Sequence, residues 1–204
     1  MAGMRTWTHV GRCWTNGEPF LALDADLLPD WAGETGGRYE ALVPDLTHEL
    51  TSVPVGAGRA ALVLTDPEVG DEGWLEVFRA DDDAVAVVQV SADDYAAAVR
   101  AALALPDEAA EPGDHVPVPT GRLAFISAAL DGAGIQAAPL ARERPGPLPD
   151  SAGYDERQDD GGGPLLRATA RGFRIWVQWS TPFDGDALAA RWLLLPAPGG
   201  IPSR

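Results

Sequence analysis

Four short stretches of this chain hold residue types at spacings that could do chemistry, and each lacks a part. Val53 to Ala61 (VPVGAGRAA) contains Gly-x-Gly-x-x-Ala, a loose form of the loop that cradles a dinucleotide pyrophosphate. That chemistry needs a helix N-terminus after the glycines, and Ala60 to Leu64 read as strand. Asp66 to Val77 (DPEVGDEGWLEV) has the acid density of a calcium loop, but position six is Asp71 instead of glycine and position twelve is Val77 instead of glutamate. His48-Glu49 opens a zinc-protease pattern whose second histidine is replaced by Ser52, and the other histidines, His9 and His115, lie far from it. Asp81-Asp82-Asp83 could act as a binding or catalytic cluster, or serve as the solvated turn of a hairpin. No Gly-x-Ser-x-Gly nucleophile elbow occurs. The expectation is a chain with no cofactor and no metal, in which paired carboxylates are the only material for an enzyme.

The elements that would position these residues follow from period and turn chemistry. WTHVGRCWTNGEPFLAL reads as two strands joined by a hairpin at Asn16-Gly17. In LLPDWAGETGGRYE, Pro29 fits the first position of a short helical turn and Gly33 its end. Trp31 then sits either as a lid over a sheet or as an anchor for a partner. Strands are expected on both sides of Gly56-Ala57-Gly58 and of the Asp81 to Asp83 turn. One helix is expected near residues 91–105, with Ser91 and Asp94 at capping-box spacing and Pro106 as the stop. Residues 106–120 read as a connection between halves and 139–164 as a mobile loop poor in core residues. Further strands are GRLAFIS, LLRATA, FRIWVQWS and ARWLLLP. In FRIWVQWS a period of two puts Phe173, Ile175, Val177 and Trp179 on the core face and Trp176 opposite, exposed to a partner or buried by a second layer. The fold class is α+β, mainly antiparallel strands in one domain spanning 1–204, with two similar lobes as the alternative.

Bulk composition narrows the partners. With 31 Asp+Glu against 15 basic residues, the formal charge is −16. Contact with a nucleic-acid backbone would be repulsive, whereas a cationic protein would be drawn in. All the basic residues are arginine, so compositional bias is the competing explanation of the acidity. No apolar run is long enough to cross a bilayer, the N-terminus carries no signal-peptide pattern, and a single cysteine, Cys13, excludes an internal disulfide. A cytoplasmic location is expected.

The order of features adds a resemblance. NGEPFLAL, LPDWAG (Leu28 to Gly33), GGRYE, LVLTDPE (Leu62 to Glu68), SADDYAAAVRAALALP and GRLAFISAAL together resemble the immunity protein 21 family of bacterial polymorphic toxin systems, over most of the chain and more weakly after Leu140. The resemblance implies a non-catalytic protein that binds and neutralises a cognate toxin, and the negative charge would suit a basic one, as many toxins acting on nucleic acid are. The expected contact residues are Trp31, Asp81, Asp82, Asp83 and Trp176. A small acidic hydrolase using paired carboxylates, or a structural scaffold module, are the readings that compete.

Overall fold

The computed structural model describes residues 5–154, 162–183 and 186–197. In chain order the elements are β1 (Trp7–Thr15), β2 (Phe20–Asp24), a 3-10 turn (Ala25–Asp30), α1 (Arg38–Leu42), β3 (Ser52–Val55), β4 (Gly58–Val63), β5 (Gly73–Ala80), β6 (Val85–Ser91), α2 (Tyr95–Leu103), β7 (Glu111–Pro117), β8 (Arg122–Ser127), β9 (Ala141–Arg142), β10 (Pro164–Arg167), β11 (Gly172–Phe183) and β12 (Ala187–Pro196). They build two six-stranded sheets, ordered β1-β5-β6-β12-β11-β7 and β3-β4-β2-β8-β10-β9. Every pairing is antiparallel except the two-residue β9 against β10. The protein is an α+β fold dominated by antiparallel strands.

Side-chain alternation explains why the sheets stack. Leu75 and Val77 of β5, Val85 and Val87 of β6, and Phe173, Ile175 and Val177 of β11 share one core with Phe20, Ala22, Leu123 and Phe125 of the second sheet. The opposite parity is apolar too. Leu21, Leu23, Leu62 and Ile126 form a further cluster outside the second sheet, and Phe78, Ala86, Val88 and Leu193 another outside the first. A sheet apolar on both faces needs a cover on each side. The outer cover of the first sheet is α2, through Tyr95, Val99 and Ala102; that of the second is the 3-10 turn with Trp31 and α1.

Several expectations change. Asn16-Gly17 does not close a hairpin: Gly17 takes φ +102°, but β1 pairs with β5 while β2 pairs with β4 and β8, so the reversal carries the chain from one sheet into the other. The helix starts at Tyr95 and its cap is Asp94, whose carboxylate accepts from Ala97 N at 3.0 Å. Ser91 is unavailable as a cap because it still pairs with Leu188 in the ladder. Residues 106–120, read as a connection between halves, contribute β7, whose two prolines are tolerated at a sheet edge where no ladder donor is needed. Each sheet takes three neighbouring strands from each half, β1-β5-β6 beside β12-β11-β7 in the first and β3-β4-β2 beside β8-β10-β9 in the second, so the two halves share both sheets. The expected hairpins β3–β4 and β5–β6 are present.

Trp31 is the lid. Asp24 caps the 3-10 turn by accepting from Asp26 N, Pro29 lies in its last turn and not its first, and Trp31 N donates to Leu28 O. The indole is 4% exposed, and its Nε1 donates to Ala128 O at 3.1 Å. Gly33 permits the approach, for a Cβ there would come within 2.5 Å of the carbonyl oxygens of Ala129 and Leu130. Of the expected mobile loop, residues 155–161 lie outside the described residues. Within the rest, Arg144 N donates to Val10 O and Gly146 N to His9 O, which lays this segment along the edge of β1.

Candidate partner-binding site

The outer face of the first sheet is not covered evenly. α2 packs over β6 and β12, and beyond it β1 and β5 present their own side chains. Their register sets Trp14 opposite Trp74 and Arg12 opposite Glu76, with the parity of β5 placing Trp74, Glu76 and Phe78 outward. Glu76 is fully buried and is held by three donors: His9 Nε2 at 2.8 Å, Arg12 Nε at 3.1 Å and the Tyr95 hydroxyl at 2.6 Å. A buried carboxylate without such partners would be untenable. Burial and the adjacent Glu76 charge push the Tyr95 pKa well above its ordinary value, so the hydroxyl stays a donor. The Arg12 guanidinium also lies 4.0 Å from the centre of the Trp74 ring.

Next to this network three aromatic rings converge. Trp14 meets Trp74 edge-on at 5.1 Å and Tyr154 at 5.0 Å, while Tyr154 stacks beside Trp74 at 6.2 Å. Trp74 Nε1 donates to Gly153 O and Trp14 Nε1 to Asn16 Oδ1, which fixes both indoles. The rings form one end of an open groove of about 900 Å³ whose wall includes Asp71, Glu72 and Tyr95. That wall is held from behind, since Gln89 accepts from Asp66 N and donates to Gly70 O, and the Asp66 carboxylate accepts from Glu68 N and Ser180 N. Asp66 is therefore spent on backbone donors, which is a different arrangement from the solvated turn expected for this acidic run.

At Ser91 and Ala92 the groove meets a second one of about 780 Å³, which runs along α2 past Asp93, Asp94, Phe183 and Asp186. The described residues lining the two include five carboxylates, Asp71, Glu72, Asp93, Asp94 and Asp186, and no arginine or histidine. A surface of this kind concentrates negative potential and favours a cationic partner. Among the described residues no group of three or more His, Cys, Asp or Glu could hold a metal ion. His9 and Cys13, the one locally spaced pair, are apart because Cys13 points into the central core while His9 turns outward. Among the described residues no helix is long and apolar enough to cross a membrane.

The residues singled out in the sequence are scattered. Trp31 is buried as part of the cover of the other sheet. Asp81 and Asp82 are exposed at the β5–β6 turn, where Asp82 accepts from Arg5 and from Ala84 N. Asp83 is buried with φ +65°, and its carboxylate takes Thr169 N at 2.7 Å, Ala170 N at 3.0 Å and the Thr169 hydroxyl, so it ties the turn to the loop before β11. Trp176 lies on the outer face of β11, half-buried against the apolar cluster that α2 also covers. Trp179, placed on the core face by the period of two, is half-buried beside the central core, because a bulge between Gln178 and Thr181 breaks the alternation. What sequence reasoning missed is Trp14, Trp74 and Tyr154. A signal was present in the matched parities of Arg12-x-Trp14 and Trp74-x-Glu76, two segments with complementary charge and aromatic positions, but only the long-range pairing of β1 with β5 turns it into a site. Searches against protein-family models, characterised proteins and solved structures find no match to this chain.

Proposed function

We propose that this protein is a stoichiometric inhibitor, an immunity protein that binds and neutralises a cognate toxin of cationic surface in the cytoplasm. The observation that carries the reading is the continuous pair of grooves with five carboxylates, an aromatic end and no lining arginine or histidine among the described residues. The −16 formal charge supports it, because a field of that sign speeds encounter with a basic protein. So does the resemblance to the immunity protein 21 family carried by LPDWAG and LVLTDPE. Neutralisation by binding asks only for a complementary surface, and the half-open aromatic end offers large, rigid contact area at small entropic cost.

Co-expression with the toxin encoded beside this chain is the direct test. Survival that depends on this chain, together with a 1:1 complex on gel filtration, is the expected result. Association should also slow markedly as salt rises to physiological strength, where the screening length falls to about 8 Å. Equal killing with and without the chain, and no complex, would sink the proposal.

A further inference from the structure

We propose that the Trp14–Trp74–Tyr154 end of the groove seats an arginine side chain supplied by a basic segment of the partner. This deepens the reading of the groove as the partner surface and rests on it. The protein already contains one such seat. On the inner side of the cluster the Arg12 guanidinium lies 4.0 Å from the centre of the Trp74 ring and is neutralised by Glu76. On the solvent side aromatic faces and carboxylates recur: Trp14 is half-buried, Tyr154 is 51% exposed against it, and Asp71 and Glu72 share the groove. Neither of these carboxylates has a hydrogen bond or ion pair among the described residues. Three rings in mutual contact are a preformed surface, so little ordering is needed when a planar cation stacks on it.

Arginine fits better than lysine. A guanidinium is planar and weakly hydrated, stacks on an aromatic face and can still direct its N–H groups to a carboxylate, whereas an ammonium is a compact, strongly hydrated charge. An acidic or nucleic-acid ligand would meet only repulsion here, and a neutral one would leave the carboxylates without a use.

The test follows the indole Nε1–H resonances of Trp14 and Trp74 by NMR while three short peptides are titrated in. The peptides differ only at one central position, which is arginine, lysine or citrulline. Saturable shifts at both indoles with the arginine peptide, weaker binding of the lysine peptide and none of the citrulline peptide are expected. Tyr154→Ala, and separately the pair Asp71→Asn with Glu72→Gln, should each weaken the arginine peptide by about fivefold. Shifts equal for arginine and citrulline, indoles that do not respond, or full affinity in both variants would overturn the inference. The outcome separates from that of the proposed function. A chain that protects cells while its indoles ignore the peptides defeats the arginine seat alone. A chain that binds the peptide through Tyr154 yet gives no protection defeats the immunity reading alone.

Discussion

Both sheets bury an apolar outer face, and they do it with different materials. The second sheet is covered by a 3-10 turn, one tryptophan and a five-residue helix, and the cluster beneath them is uniformly apolar, with Trp31 satisfied by a single carbonyl. The first is covered by α2 over only part of its width; the remainder holds a buried carboxylate with its three donors, and then a groove open to solvent. A dry cover of that kind contributes stability and little else. A cover that stops short, with charge buried at its margin, spends stability on a defined surface, and such a surface is what recognition needs.

Substitutions on the two faces should separate these roles. Glu76→Ala should have the largest effect, about 4 to 5 kcal/mol in denaturant unfolding, because it strands Arg12, His9 and Tyr95 without their shared acceptor. It should also weaken partner binding, since the Trp74 face beside Arg12 loses its support. Trp31→Ala should cost about 3 to 4 kcal/mol by opening a cavity and orphaning Ala128 O, while partner affinity of the folded fraction stays at the wild-type value. Equal losses of affinity in the two variants would erase the proposed contrast.

Smaller effects refine it. Burial alone would raise the Asp83 pKa, but the hydrogen bonds from Thr169 and Ala170 and the charge of Arg79 outweigh burial and hold it below the ordinary carboxylate value. A depressed folded pKa means that the stabilisation is present in full above the unfolded value of about 3.9 and drains away as pH falls through the folded value. Asp83→Asn should therefore cost about 1 to 2 kcal/mol near neutrality and flatten the acid limb of a stability–pH curve below about pH 4. An unchanged acid limb would show that this carboxylate does not couple the β5–β6 turn to β11. Tyr154→Ala should change stability by less than about 0.5 kcal/mol, in keeping with a half-exposed ring whose proposed role is in binding.

Local signals carried most of the secondary structure. The β3–β4 and β5–β6 hairpins were readable because turn residues stand between strand-forming runs, and the core parity of Phe173, Ile175 and Val177 was readable because alternation needs no partner to be seen. Asn16-Gly17 misled because a tight reversal looks the same whether the next strand returns to its own sheet or enters another. Ser91 misled because capping spacing does not reveal that a residue is still committed to a ladder. The site was least legible for the same reason. Nothing near Trp14 in the sequence announces Trp74, and Tyr154 lies in a segment whose composition reads as loop. Proximity created by non-local pairing has no periodicity of its own.

The place of β12 has a consequence for how the chain is made. This strand lies between β6 and β11 in the first sheet, so that sheet consists of two unjoined parts until residues 187–196 have been synthesised and inserted. Until then β6, a valine-rich strand, has an unpaired edge of the kind that templates aggregation. Closure waits on pairings distant in sequence, which are slow to form. A nascent chain of this design should spend longer in need of a holding chaperone than its size alone would suggest, and a ribosome-stalled fragment ending before β12 should be the species that aggregates.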